Sequence, residues 1–574
     1  MFDLIIRGGR VHDGLGSPER IADVGVRDGV IVAVEPHLTG EATEVIDAAG
    51  RLVTPGFVDI HTHYDGQATW DELLEPSTSH GVTTVVFGNC GVGFAPVRPD
   101  AHAGLIELME GVEDIPGAAL AEGLSWGWES FPDYLDVLEG RRWSVDVAAQ
   151  LPHGPLRAYV MGPREAATQD ATPDDVAAMA RLTQEAFEAG AVGFTTSRTL
   201  AHLALDGTPV PGTYAGEHEL FGIGRAVAAG GGHLFEVASS GLIPGDDQEV
   251  AEAEVGWIGR LAVETGLTST FILLQCNDAP DRWRRQMDEA ARWRDRGGRV
   301  QPLVAGRPAG LLWGWDVRHP FLARDTYRAL AQLPLAERLE HLRRADVRAA
   351  ILEEEDRYVS RSERFQVRLS QRSLERAFTL VGTPDYEQGP EATIGARAEQ
   401  RGSTVEATAY DELLADDAML LVPAYNYVSG DQQAVYEQML DPDTIVGLAD
   451  GGAHVAIICD ASIPTYLLTH WARDRTRGPR LALPEVIRRL TSQTADLYGF
   501  TDRGRVAVGL RADLNVIHPQ ALALEMPRAV HDLPAGGTRL LQGARGYEAT
   551  VVAGQVTRRH GVDTGARPGR LVRG

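Results

Sequence analysis

Both ends of the chain show short apolar runs separated by turn residues. LIIRGGRVHDG and IADVGVRDGVIVAVEP at the N-terminal end combine β-branched residues with Gly- and Asp-containing turns. GRVAVGLRADLNVIHP and YEATVVAGQVTRRHGV repeat this pattern at the C-terminal end. Short β-branched runs bounded by turn residues indicate strands of a small antiparallel sheet. We therefore predict one β-sandwich assembled from residues 1–55 and 500–574.

The middle of the chain, residues 56–499, alternates short apolar runs with helical patterns. In DDVAAMARLTQEAFEAGAVGFTTS, for example, a helical pattern ends at Gly190 and an apolar strand follows. Repeated strand and helix alternation predicts a parallel α/β fold, either a barrel or a doubly wound sheet, and we favour a TIM (β/α)8 barrel. Two segments interrupt the rhythm, a Trp-rich one near 100–145 and a charged helical one near 325–410. We predict that both are inserted lids or caps.

Composition narrows the class of protein and its surroundings. With 574 residues the chain is too long for one core, and its net charge of −27 argues against nucleic acid and acidic membranes as partners. No long uncharged apolar run is present, and Asp3 interrupts the opening apolar stretch, which we interpret as a strand and not as a signal peptide. Cys90, Cys276 and Cys459 are too few for a disulfide framework. These features predict a cytoplasmic protein.

A pair of histidines gives the strongest local signal for chemistry. In TPGFVDIHTHYDG, an apolar strand runs into His61 and His63 and then into a turn. Side chains two residues apart point to the same side of a strand, so both imidazoles face one way at the strand end. That geometry suits one metal ion. The alternative is a pair of buried histidines that alternate by chance.

LVTPGFVDIHTH resembles the signature of the amidohydrolase superfamily, and the strands before it resemble that superfamily's N-terminal β-sandwich. The resemblance covers nearly the whole chain. It implies that His61 and His63 end the first barrel strand, and that an Asp at the end of the last strand binds metal and takes a proton from the attacking water. TIVGLADGGAH supplies Asp450 for that role. By pattern alone, an Asp before two glycines is usually a turn residue.

Cys90 in TTVVFGNCGVG also lies where an apolar strand meets glycines. Its thiolate could bind or bridge a metal such as zinc, although a buried cysteine is often inert. The segment resembles the N-acyl-D-amino-acid deacylase branch of the superfamily, in which a Cys replaces a carbamylated lysine that bridges two metals. This chain has no lysine, because all 54 of its basic residues are arginine. A carbamate bridge is therefore excluded.

The chain departs from that branch where a second metal would bind. The deacylases carry a metal-binding His on each of two further strands, but GGGHLFEVASS offers Glu236 or His233, and TFILLQCNDAP offers Gln275 and Cys276. Glu236 could instead contact the substrate or be structural. We therefore predict one Zn²⁺ rather than two, with another transition metal as the alternative, and the ligands are His61, His63, Asp450 and Cys90.

Substrate contacts must also differ from those of the deacylases, whose lysine helps to hold the substrate's carboxylate. Arg198 and Arg307 both follow predicted strands, and either could bind a carboxylate with two hydrogen bonds or be simply solvated. His454 and Asp460 follow Asp450 closely, so we expect them near the mouth of the site. His454 could polarise a carbonyl, stabilise an oxyanion, or support the metal ligands by hydrogen bonding.

The predicted function is hydrolysis of a C–N amide bond, in an N-acyl-amino acid or a similar small amide, by metal-activated water with Asp450 as general base. Two alternatives stay open. One is a different reaction on the same scaffold, such as cyclic amide opening, deamination, decarboxylation or metal-centred redox chemistry. Another is a noncatalytic protein that has degenerated from a hydrolase. The partner is a small-molecule substrate, and a homo-oligomer is compatible with the sandwich edges and the Trp-rich insert.

Overall fold

The computed structural model describes residues 1–162, 168–241, 248–359, 361–428 and 430–574. Among these residues, no helix combines the length and the apolarity needed to span a bilayer.

The two ends of the chain form one nine-stranded sheet. They join where Leu52–Pro55 pairs antiparallel with Leu514–Ile517. The sheet folds back on itself, because the backbone amide of Ile31 donates to the carbonyl of Leu510 at 2.8 Å, and it encloses an apolar core of its own. Its strands are Phe2–Val11, Arg20–Arg27, Val30–Glu35, Ala42–Asp47, Leu52–Pro55, Leu514–Ile517, Tyr547–Val552, Gln555–Arg559 and Val562–Asp563.

Eight parallel strands form the centre of the molecule, and neighbours along the chain are neighbours in space. The ladder closes between its first and last strands, where the amide of His63 donates to the carbonyl of Gly451 at 2.7 Å. It is therefore a barrel. Its strands are Phe57–Asp59, Val82–Phe87, Asp146–Ala149 (continued by Leu151–Pro152), Phe194–Ser197, Leu234–Ala238, Thr268–Leu273, Arg299–Ala305 and Ile445–Gly447.

Helices return the chain from one barrel strand to the next. Pro173–Glu188 illustrates why they start where they do, because Thr172 and Asp175 exchange side-chain-to-backbone hydrogen bonds in a capping box and Pro173 occupies the first turn. The barrel helices are His153–Met161, Pro173–Glu188, Glu217–Ala229, Gln248–Thr265, Arg282–Arg294, Gln433–Leu440, Ile463–Tyr466, Leu467–Asp474 (a π-helix), Leu483–Leu490 and Ser492–Leu497, with short 3-10 turns at Gln67–Thr69, Ser77–His80, Asn89–Gly91 and Asp460–Ser462.

Two excursions leave the barrel. The first consists of helices His102–Glu113, Gly117–Gly123 and Phe131–Glu139, between the second and third barrel strands. The second lies between the seventh and eighth strands and has its own apolar core. It contains strands Ala309–Trp313, Phe378–Leu380 and Met419–Tyr425, helices Asp325–Leu330, Leu335–Leu342, Ala345–Glu353, Arg361–Ser373, Ile394–Arg401 and Val405–Leu413, and 3-10 turns at Leu374–Arg376 and Pro390–Ala392.

The second excursion is longer than the charged segment 325–410 that marks it in the sequence. Its outer strands Ala309–Trp313 and Met419–Tyr425 pair with each other antiparallel and not with the barrel. Both are apolar runs, so hydrophobicity alone does not distinguish them from barrel strands. The remaining elements are two small two-stranded sheets near the C-terminal end. One pairs Ala523–Leu524 with Ala544–Arg545, and the other is the hairpin Arg528–Leu533 with Gly537–Leu541, joined by the turn Pro534–Gly536.

Candidate metal centre

His61 and His63 lie just beyond the first barrel strand, at its carboxyl end. The carbonyl of His61 accepts a hydrogen bond from the amide of Asp450 at 3.0 Å, and the amide of His63 donates to the carbonyl of Gly451. Both imidazoles are buried. The seam that closes the barrel therefore also fixes Asp450 beside the two rings.

Four potential donor atoms converge at this seam. Nε2 of His61 lies 3.5 Å from Sγ of Cys90 and 3.4 Å from Oδ1 of Asp450, and Nε2 of His63 lies 3.7 Å from the same oxygen. The ligand atoms of His61, His63 and Cys90 lie within 4.8 Å of one another. Donors bound tetrahedrally to one zinc ion are separated by roughly 3.3–3.6 Å. The two distances from Nε2 of His61 match this spacing, and the distance from His63 to Asp450 is slightly longer. The group of His61, His63 and Cys90 is thus compact enough to bind one ion, with Asp450 beside both imidazoles.

The other nitrogen of each ring faces a buried carboxylate. Nδ1 of His61 lies 3.3 Å from Oε1 of Glu236, and Nδ1 of His63 lies 3.4 Å from Oε1 of Glu113. All four atoms are buried, and none of them has a hydrogen-bond partner within the described part of the chain. Carboxylates in this position fix the tautomer and the orientation of metal-binding imidazoles and raise their basicity.

The backbone is strained around the donors. Cys90, Leu448, Asp450 and His454 have φ values of 56°, 59°, 48° and 48°, in the left-handed region that residues other than glycine seldom adopt. Each such residue costs about 1 kcal/mol or more, and strain of this kind clusters at functional sites. Gly451 follows Asp450, and a Cβ there would approach Oγ of Ser77 to 2.5 Å.

Burial and neighbouring charges shift the pKa values of the donor groups. Burial by itself would lower the pKa of His61, but the carboxylates of Glu236 and Asp450 raise it to about 9. Burial lowers the pKa of His63 to about 4. Although burial opposes it, the neighbouring imidazoles of His63 and His61 lower the pKa of Asp450 to about 2.

The pKa of the Cys90 thiol is also shifted. Burial, and then the nearby charge of Glu113, raise its pKa well above the usual range. Without a cation, Cys90 is therefore a neutral thiol. A metal ion beside it would reverse this direction, because coordinated thiols lose their proton.

The donor atoms face a cavity of about 290 Å³ at the carboxyl ends of the barrel strands. Ligand sites of TIM barrels lie at this end. The first excursion covers part of the cavity with Val112 and Glu113, and the second contributes Leu311. Most of the wall is apolar, and its large apolar side chains are Val112, Ile272, Leu274, Leu311, Leu448, Ile457 and Ile458.

The model of the amidohydrolase family described as Amidohydro_3 matches residues 44–558. The chain belongs to this family. The D-aminoacylase of Alcaligenes xylosoxydans xylosoxydans is 40% identical over 195 residues, which cover 34% of this chain and 37% of that protein. An uncharacterized protein of Mycobacterium bovis is 28% identical over 545 residues, covering 91% of this chain and 85% of its relative.

Among solved structures, the N-acyl-D-glutamate deacylase of Bordetella bronchiseptica, complexed with zinc and a phosphonate inhibitor, matches with a TM-score of 0.66 at 25% identity and full coverage of both chains. The matched part of the Alcaligenes D-aminoacylase is about a third of that protein's length. The predicted barrel fold and the resemblance to the deacylase branch are both confirmed.

Several predicted residues of this amidohydrolase lie away from the donor atoms. His233 precedes the fifth barrel strand, at the end opposite the cavity, and its Nε2 lies 3.2 Å from the carbonyl of Leu497. Gln275 and Cys276 are buried beside the second excursion. There the backbone amide of Asn426 donates to the carbonyl of Gln275, and the backbone amide of Gln275 donates to Oδ1 of Asn426. None of these three side chains lines the cavity as described. Glu236 does not line the cavity either, but unlike these three residues it contacts a donor group, the imidazole of His61.

The two arginines proposed as carboxylate clamps fix the surrounding loops instead. Arg198 donates to the carbonyls of Thr213 and Ala215 at 2.8 and 2.7 Å. Arg307 is buried and donates to Oδ1 of Asp460 at 2.6 Å. Neither arginine lines the cavity. The sequence places both at strand ends correctly but does not reveal that partners from distant segments already occupy them.

Two cavity residues went unnoticed in the sequence, Glu113 and His202. Glu113 ends a helix of the first excursion, and its Oε2 lies 3.6 Å from Nε2 of His454. His202 follows the fourth barrel strand, and its Nδ1 lies 2.9 Å from Oγ of Ser197. No local pattern marks Glu113, whereas the position of His202 shortly after a strand end was a usable signal. His454 lines the cavity, with its side chain 32% exposed.

Proposed function

We propose that this protein is a metal-dependent hydrolase that cleaves the C–N bond of a small-molecule amide. The observation that supports it most is the cluster of His61, His63 and Cys90 at the cavity, with Asp450 beside both imidazoles. A set of two imidazoles, a thiolate and a carboxylate suits zinc. The zinc named in the Bordetella structure supports the same choice.

One ion, rather than two, agrees with the surroundings of the donors. A second ion needs its own imidazoles or carboxylates, yet Glu236 and Glu113 are directed at the outer nitrogens of His61 and His63. Among the described residues, the only cluster of three or more potential ligands is the one formed by His61, His63 and Cys90. The two carboxylates would therefore orient the rings instead of binding a second metal.

Bound among these donors, zinc supplies a Lewis acid that polarises the amide carbonyl and acidifies water. Asp450 is the general base, because its side chain is 23% exposed and its carboxylate borders the cavity. It takes a proton from the attacking water and returns it to the leaving nitrogen. His454, which also borders the cavity, is placed to stabilise negative charge that develops on the carbonyl oxygen.

The proposal extends to the substrate class and the location of the protein. The names of the Alcaligenes and Bordetella relatives indicate N-acyl amino acids or similar compounds. The three cysteines, all in the described part of the chain, form no disulfide. This supports a reducing, cytoplasmic location.

The activity test is a panel of N-acyl D- and L-amino acids and their carboxamides, incubated with zinc-loaded protein while release of the acyl acid is measured. We expect turnover that disappears in the Asp450→Asn variant. Silence on all linear amides, with turnover of cyclic amides, would favour ring opening instead. Zinc-loaded protein that hydrolyses neither group would contradict the proposal.

A further inference from the structure

Among the described residues that line the cavity, acidic and apolar side chains are present but no strongly basic one. Its described lining includes Glu113, Asp450 and Asp460 together with histidines at positions 61, 63, 202 and 454. No arginine is among the described lining residues, and the chain contains no lysine. A site that recognises carboxylates normally presents an arginine or lysine to them.

The arginines around the cavity are already paired. The guanidinium of Arg307 lies 2.6 Å from Asp460 and stacks over the ring of Tyr386, 4.2 Å from its centroid. Arg198 donates to two loop carbonyls and lies 3.4 Å from Glu254. Releasing either one for a substrate would leave a buried carboxylate or buried carbonyls without their partner, which is costly.

The histidines do not replace these arginines as carboxylate receptors. His61 and His63 face Asp450 with one nitrogen and a glutamate with the other. His454 faces Glu113. His61, His63 and His454 therefore already have an acidic neighbour, and Nδ1 of His202 contacts Oγ of Ser197. A substrate carboxylate would add another negative charge beside Glu113, Asp450 and Asp460.

We infer that the cavity accepts neutral amides whose apolar group packs against the wall around Leu311, Ile457 and Ile458, and that it discriminates against free N-acyl amino acids. This inference rests on the proposed amide hydrolysis and specifies its substrate class. It gives the apolar wall a function, because a substrate without a carboxylate gains its affinity from apolar burial and from contacts at the reacting amide.

The test compares two nearly isosteric substrates, N-acetylleucinamide and N-acetylleucine, each in D and L form. The measurement is kcat/KM for acetate release by zinc-loaded protein. We expect the better carboxamide enantiomer to exceed its acid by about 30-fold or more, equivalent to about 2 kcal/mol. An acid hydrolysed as well as its carboxamide would overturn this inference while leaving amide hydrolysis intact. Hydrolysis of none of the four compounds would overturn amide hydrolysis itself, and the inference with it.

A variant tests the physical cause. Leu311→Arg adds a cation to the cavity wall, and Leu311→Met changes the same side chain without adding charge. We expect Leu311→Arg to raise the acid-to-carboxamide ratio of kcat/KM at least about 10-fold, and Leu311→Met to leave the ratio near that of the wild type. An unchanged ratio in a folded, zinc-loaded Leu311→Arg variant would contradict the role assigned to the missing cation. If that variant does not fold, the comparison of the two substrates in the wild-type protein decides alone.

Discussion

Glu113 offers a direct test of how the histidines are held. Its buried carboxylate lies 3.4 Å from Nδ1 of His63 and reaches the site from the first excursion. The substitution Glu113→Gln keeps the size and shape of the side chain but removes its ability to become an anion. A carboxylate partner of a metal-binding imidazole contributes about 1.4–2.8 kcal/mol to metal binding. Because 1.4 kcal/mol corresponds to a factor of ten, we expect zinc affinity to fall about 10- to 100-fold.

The assay is a competition titration that measures the zinc Kd of the purified variant against a chelator of known affinity. Glu107→Gln is the matched control, because Glu107 lies on the same helix and its side chain is exposed. We expect the control to bind zinc as the wild type does. Burial, and then the charge of Asp450, raise the pKa of Glu113 well above its usual range. The metal-free Glu113→Gln variant should therefore melt at or above the wild-type temperature. Wild-type zinc affinity in Glu113→Gln would refute the positioning role.

Three further predictions concern the buried residues Glu219, Gly451 and Arg307. Glu219 is buried beside Arg157, and although burial opposes it, hydrogen bonds from His153 and Arg157 lower its pKa to about 2. The ionised carboxylate therefore stabilises the fold above about pH 4.5, and this stabilisation is lost as the pH falls towards 2. Glu219→Gln should lower the free energy of unfolding by about 2–3 kcal/mol at pH 7 and by less at pH 3, as measured by urea unfolding. Gly451→Ala should reduce zinc binding at least about 10-fold, because the new Cβ would push against Ser77 and displace the adjacent donor. Arg307→Gln should lower the free energy of unfolding by about 3 kcal/mol, and with it the melting temperature. It should leave the KM of the folded protein unchanged.

Each of these predictions has a clear contrary result. An equal loss of stability at both pH values would show that Glu219 acts through packing and not through its charge. Gly104→Ala is the control for Gly451→Ala, because a Cβ at Gly104 meets nothing within 4 Å, and zinc binding that is equal in both variants would contradict the crowding argument. An Arg307→Gln variant with wild-type stability and a raised KM would restore the role of this arginine as a substrate clamp.

The sequence was most informative where chemistry and a regular strand coincide. His61 and His63 are two residues apart at the end of a strand, so the period of two alone places both rings on one side. Cys90 lies three residues after the apolar strand Val82–Phe87. The structure brings these three side chains together. Asp450 required the family resemblance, because by pattern alone it is a turn residue before two glycines.

The features that the sequence did not reveal depend on contacts between distant segments. Glu113 meets His63 only because the first excursion folds back over the barrel. The ion pair of Arg307 involves Asp460, 153 residues further along the chain. The strands Ala309–Trp313 and Met419–Tyr425 have the composition of barrel strands, yet they pair with each other. In each case the side chain or strand is visible in the sequence, but its partner is not.

The most direct test of the central claim is the metal content per chain of the purified protein, measured by elemental analysis together with the variants His61→Ala and Cys90→Ser. The predicted result is one zinc per wild-type chain, its loss in His61→Ala, and weakened retention in Cys90→Ser because one of four ligands is altered. Two metals per chain would contradict the single-ion site and would require a second set of ligands. A chain that retains one zinc in both variants would show that the metal binds elsewhere and would contradict the centre described above.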